Sequence, residues 1–168
     1  MTPAEKLTLL LLCDIHKHLK IEGEVDSSLI ISALGRHEWA LESEYHLNEE
    51  PVDPSVVNET ADILTMWRVI ESSYDKQSAA EKKRIKDAVY PASVEFEGFD
   101  GNHDPHYGVA TFYVEKLNRF DERKGRPMNS HTSGSLPTYR RMLPRFKKCE
   151  PKARDGLTAE NIISILKN

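Results

Sequence analysis

"DPSVVNETADILTMWRVIESSY", residues 53–74, decides the fold. Asp53 followed by Pro54 is a helix start. The carboxylate can accept from the unpaired N–H groups of the first turn, and proline lacks an N–H that would go unanswered there. Val56, Ile63 and Ile70 then recur every seven residues, Trp67 and Tyr74 share that repeat, and Val57 and Leu64 lie beside them. One long helix with a broad apolar face follows, and Trp67 and Tyr74 read as packing residues.

The same signals recur along the chain. Thr2-Pro3-Ala4-Glu5 is a capping box with proline at the first helical position. Leu7, Leu10, Leu11, Ile15 and Leu19 follow at helical spacing, and Leu9 and Leu12 widen the face, so this helix is expected to be buried on more than one side. A second helix is expected from Asp26 to Leu34, stopped by a left-handed Gly35, and a third over His37–Leu47. Ser78-Ala79-Ala80-Glu81 opens another. Asp104-Pro105 repeats the Asp-Pro start, with Asp104 as cap and Ala110, Tyr113, Val114, Leu117 and Phe120 as inner face. Thr158 caps the last helix, with Leu157 and Ile162 at staple spacing. Only "ASVEFEGF" (92–99) reads as a strand, and nothing obvious pairs with it. Residues 121–137 are loop by composition.

These elements predict an all-α fold, a multi-helix orthogonal bundle with an N-terminal helical-hairpin part and a second helical lobe. The expected organisation is one domain over 1–168, with sub-lobes of about 1–90 and 91–168. A 39% hydrophobic and 30% charged composition is that of a globular chain. No apolar run approaches the roughly 18 residues of a membrane span, so no membrane is expected as partner. "LTLLLLC" (7–13) runs into Asp14 rather than a cleavage site. Cys13 and Cys149 stand apart without metal or disulfide grouping and read as free thiols of a cytoplasmic protein.

The net charge of −4 hides a split: residues 119–154 hold eleven Lys/Arg against three Asp/Glu, leaving −12 for the rest. Within it, Arg140, Arg141 and Arg145 form the best basic cluster on a helix, with Arg141 and Arg145 one turn apart. They are candidates for anion or nucleic-acid binding, or for pairing with the acidic remainder of the chain, and pairing is the preferred reading.

Several phrases together resemble the YfbU-like family of small bacterial proteins: "ADILTMWRVIESSY" (61–74), "FEGFDGN" (96–102), "LNRFDE" (117–122), "NSH" (129–131), "YRRML" (139–143) and "LTAENIISIL" (157–166). The resemblance covers essentially the whole chain. It implies a self-associating helical fold with a hairpin part and a second lobe, and it carries over no catalytic residue. After "GFDGN" this chain has His103-Asp104-Pro105 where the family continues with Asn and Glu, and its "ERKGRPM" stretch is longer and more basic.

The chemistry-bearing residues concentrate in "FEGFDGNHDPHYG" (96–108). Asp100, Asn102 and Asp104 match the first three ligand positions of a calcium loop, but Pro105 and Thr111 stand where the turn glycine and bidentate glutamate belong, which excludes an EF-hand. His103 and His106 are two ligands and do not make a zinc site, so neither metal nor cofactor is expected. The stretch reads first as a helix entrance. Gly98 and Gly101 relax the backbone, Phe96 and Phe99 anchor it, and Asp100 and Asn102 bond to their own turn.

A ligand-site reading takes Asp100, Asn102 and His103 together with Asn129, Ser130 and His131. These include the residue types of a Ser-His-Asp set, although Ser130 lacks a nucleophile elbow. A helix from 104 to about 119 separates the two loops by about 22 Å. The following residues can span that gap at roughly 3.3 Å each, so convergence is allowed without being required. The leading functional expectation is a homo-oligomeric binding or regulatory module, with a protein partner, rather than an enzyme. The alternatives are nucleic-acid or polyanion binding through 119–154, and a hydrolase or metal enzyme using loops 98–106 and 129–131.

Overall fold

The computed structural model describes residues 1–47, 50–131, 134–149 and 156–167. Among them the regular structure is helical: α1 Pro3–His18, α2 Ser27–Ala33, α3 Glu38–Glu44, α4 Pro54–Asp75, α5 Ala79–Val89, α6 Pro105–Glu115, a 3₁₀ turn Asp121–Arg123, α7 Ser135–Cys149 and α8 Ala159–Leu166. No helix is long and apolar enough to cross a membrane among the described residues. The chain divides into two compact units, Met1–Pro51 and Val52–Asn168.

In the first unit α1 packs on α2 and α2 on α3. Thr2 caps α1 in a reciprocal box with Glu5, and the Asp26 carboxylate accepts from the N–H groups of Ser28 and Leu29. Gly35 is not left-handed: α2 ends at Ala33, and Leu34 turns the chain with ordinary negative φ. The expected third helix is shorter than 37–47, because the chain leaves the helix at Tyr45, whose hydroxyl accepts from the Asp26 N–H at 2.9 Å.

Helix α1 is covered on one side only. At 100° per residue, Lys6, Leu9, Leu10, Cys13 and His16 share its packed side, with Cys13 buried. Leu7, Leu11, Leu12, Ile15 and the capping Leu19 lie on roughly the opposite side and are 53 to 63% exposed. The breadth of the apolar face is real, but within the described residues of the first unit its second side is open.

The second unit holds the core. Ile63, Leu64, Met66 and Ile70 of α4 are fully buried and meet Ile85 of α5, Ala110 of α6, and Ile162 and Ile165 of α8 in one cluster. Helix α4 packs on α6, α7 and α8, and α8 also packs on α5 and α7. Trp67, Phe96, Phe99 and Tyr139 form an aromatic knot with ring centroids 5.4 to 6.1 Å apart. Residues 92–99 do not form a strand. Val94 and Phe96 turn inward while Glu95 and Glu97 turn outward, an extended alternation, but only Phe99 finds a bridging partner. Helix α6 stops at Glu115, so Leu117, expected on its inner face, is half exposed.

Candidate ligand site at the paired loops

The two polar loops meet. Gly98 adopts φ +96°, and a Cβ there would stand 2.3 Å from the Met128 carbonyl oxygen, so only glycine lets the loops touch. Beyond it, the Phe99 N–H donates to Met128 O and the Ser130 N–H donates to Phe99 O, both at 2.9 Å, which makes the parallel bridge between Phe99 and Asn129. The Tyr139 hydroxyl donates to Gly98 O at 3.0 Å from beneath. Burial raises the Tyr139 pKa well above the ordinary phenol value.

Each predicted residue has a definite place. Asn129 Oδ1 accepts from the N–H groups of Gly101 (3.1 Å) and His131 (3.0 Å), pinning one loop to the other. Gly101 is needed for this close approach, not for a left-handed backbone: its φ is ordinary, and a Cβ would lie 2.6 Å from Asn129 Nδ2. Asp100 is buried; Oδ1 accepts from the Asn102 N–H at 2.9 Å and Oδ2 pairs with His103 Nδ1 at 2.8 Å. Those partners, the Asn102 N–H first and His103 second, hold the Asp100 carboxyl below its usual range. The Asn102 side chain is exposed and joins only through its backbone.

Asp104 does not cap α6 with its side chain. Its Oδ2 instead accepts from the Asp100 N–H at 3.1 Å, while its own N–H donates to Asp100 O, so the two aspartates close the loop on itself. The helix entrance is thus built backward into the loop.

The hydrolytic set does not assemble. Asp100 is taken by His103, the Ser130 hydroxyl lies 3.3 Å from that of Ser135, and no hydrogen bond among the described residues joins the His131 ring to either Ser130 or Asp100. His103 is oriented by a buried carboxylate, as a general base would be. Its ring is 74% exposed, however, and nothing excludes water from it. His106 faces elsewhere: it is buried on α6, its ring 5.5 Å from that of Phe99, with Nε2 2.7 Å from Glu59 Oε2. The described residues hold no group of three or more His, Cys, Asp or Glu able to bind a metal ion.

The basic residues are mostly answered from within the second unit. Arg140 forms a two-pronged pair with Glu59, at 2.9 and 2.7 Å. That bond first, aided by His106, lowers the Glu59 pKa to about 2. Arg141 donates to Thr138 Oγ1, and Arg145 donates to the Lys167 carbonyl. Lys147 reaches Asp62 at 2.7 Å.

The strongest cluster is one that the sequence reading missed. Glu71 accepts from Arg123 Nη1 (2.8 Å), from Arg126 Nη1 (2.8 Å) and from the Phe96 N–H (2.7 Å). Arg123 is fully buried, with its guanidinium carbon 4.9 Å from the centre of the Phe96 ring. Burial opposes ionisation of Glu71, but the two arginines and the Phe96 N–H prevail and its pKa is lowered. A signal was available: Glu59 lies one turn before Ile63 and Glu71 one turn after Trp67, so both carboxylates continue the buried stripe of α4 and each demands a cation.

Taken together, the paired loops are a built junction whose polar groups mostly answer one another. In comparison with known proteins, no curated protein and no solved structure matches the chain. The model of the YfbU domain matches residues 1–168, the whole chain. The chain therefore belongs to the YfbU family.

Proposed function

We propose that this protein works by association rather than catalysis, as a cytoplasmic binding or regulatory module that pairs with a second copy of itself through α1. The observation that carries this reading is the outward stripe of Leu7, Leu11, Leu12, Ile15 and Leu19, opposite the side that α1 already packs. Leu7, Leu11, Ile15 and Leu19 form a row spaced by four, the kind of ridge that interlocks with a like ridge on another helix. A second copy supplies the same ridge, and a two-fold contact makes it self-complementary.

The magnitudes suit a concentration-dependent dimer. Burying a Leu or Ile side chain contributes about 1.5–3 kcal/mol, so five half-exposed ones on each of two copies contribute roughly 7–15 kcal/mol. Association costs about 4–15 kcal/mol in lost freedom. Polyanion binding is less well supported, because Arg123, Arg126, Arg140 and Lys147 already hold Glu71, Glu59 and Asp62. The free thiols of Cys13 and Cys149 are in keeping with a reducing compartment.

Native mass spectrometry of the purified chain tests the reading. The expected spectrum shows a multiple of the 19.2 kDa chain mass. A single-chain mass at micromolar concentration would overturn it.

A further inference from the structure

In the second unit a groove of ≈ 360 Å³ runs along α6, walled by Val52, Val57, Val109, Phe112, Tyr113 and Leu117. Every wall side chain is aliphatic or aromatic, and Val52, Phe112 and Leu117 stand about half exposed. Gly108 completes the groove. Glycine inside a helix weakens it relative to alanine, so its presence there calls for a reason. The described chain supplies none: Gly108 has an ordinary helical φ, and a Cβ there would meet nothing within 4 Å. A bare strip of backbone beside an apolar wall is what a ligand lying close to the helix requires.

One end of the groove is basic. At about 100° per residue, Lys116 lies on the same side of α6 as Val109 and Phe112, while Glu115 is turned toward a flank. The Arg119 guanidinium carbon stands 5.9 Å from the centre of the Tyr113 ring, a wall residue. Both cations are exposed, and neither is within ion-pair distance of a described carboxylate. Asp121, the next acidic residue along the chain, is paired with Lys124. The Phe112 and Tyr113 carbonyls at this end of α6 already accept from the N–H groups of Leu117 and Arg119. From Gly108 to Lys116 the helix rises about 12 Å, the length of a medium-chain acyl tail. The volume is at the small end of the range for ligand pockets. We propose that this groove binds a medium-chain fatty acid, its tail along the apolar wall over Gly108 and its carboxylate at Lys116 and Arg119. No residue of α1 lines the groove, so this reading and self-association through α1 fail separately.

The test titrates decanoate, kept below its micelle-forming concentration, against the full chain in a calorimeter, to about 10 mM, beyond a millimolar dissociation constant. Saturable one-to-one binding is expected, with decanol and decyltrimethylammonium each at least tenfold weaker. Gly108→Leu puts a side chain into the groove where nothing crowds it. It is expected to weaken decanoate tenfold or more without lowering the melting temperature. Lys116→Gln with Arg119→Gln, both at exposed positions, is expected to weaken decanoate tenfold or more and to leave decanol unchanged. No saturable binding of decanoate, equal binding of decyltrimethylammonium, or unchanged decanoate affinity in the Gly108 variant or the double variant would each overturn the proposal. So would binding to phosphatidylglycerol vesicles without uptake of monomeric decanoate, which assigns the groove to a membrane surface. Loss of self-association in Gly108→Leu would overturn it in favour of a second copy.

Discussion

The two units of this chain solve the burial problem differently. The unit Val52–Asn168 closes a continuous core around α4, in which Ile63, Leu64, Met66 and Ile70 have no exposed surface. The unit Met1–Pro51 buries Cys13, Ala33 and Leu41 and leaves Leu7, Leu11, Leu12, Ile15, Leu19, Ile21, Val25, Trp39 and Leu47 about half exposed or more. A unit of about fifty residues has too little interior for so many large apolar side chains. The lesson is that the same helical periodicity marks a core face in one unit and an exposed face in the other. The periodicity says which residues share a side, not what covers it.

Substitutions can break or sharpen this contrast. Phe99→Ala removes a fully buried ring from the aromatic knot and is expected to cost about 3–5 kcal/mol in denaturant unfolding. Leu11→Ala, on the open stripe, is expected to change monomer stability by less than about 0.5 kcal/mol. Equal losses would erase the distinction between the units. Glu71→Gln leaves the buried Arg123 charge without its counter-ion and is expected to cost about 3 kcal/mol by the same measurement, with no change in association.

Gly98→Ala places a Cβ against the Met128 carbonyl at a left-handed φ and is expected to cost about 1–3 kcal/mol in thermal unfolding. It tests whether the bridge between the loops is a structural clasp. A further effect is on acid stability. The Arg140 pair, with help from His106, holds the Glu59 pKa at about 2 against an ordinary 4.5. Its contribution is therefore full above pH 4.5 and is lost as pH falls toward 2. Thermal melts over that interval should fall less steeply for Glu59→Gln than for the wild-type chain. Parallel slopes would assign the acid sensitivity to other carboxylates.

Much of the fold was legible because helix ends are local chemistry. The Thr2 capping box and the Asp53 and Thr158 caps read correctly, since each depends on residues within one turn. Asp104 misled because it obeys the same local rule but is claimed by the Asp100 N–H. The pairing of 99 with 129 was invisible, since twenty-nine residues of chain lie between and no periodicity encodes which loops meet. Of the candidate site, the Asp100 turn was legible and the Asn129 clasp was not. The Glu71–Arg123 cluster was hidden for a related reason: its arginines sit in a loop, where charge reads as solvated, and only the carboxylates on the α4 stripe betray them.

The central claim is that the outward side of α1 is an interface between copies, and sedimentation equilibrium over nanomolar to tens of micromolar concentration tests it most directly. The wild-type chain is expected to pass from monomer to dimer across that range, and Leu11→Glu with Ile15→Glu to stay monomeric with unchanged helical circular dichroism. A wild-type chain that remains monomeric throughout, or a double variant that associates as before, would contradict it.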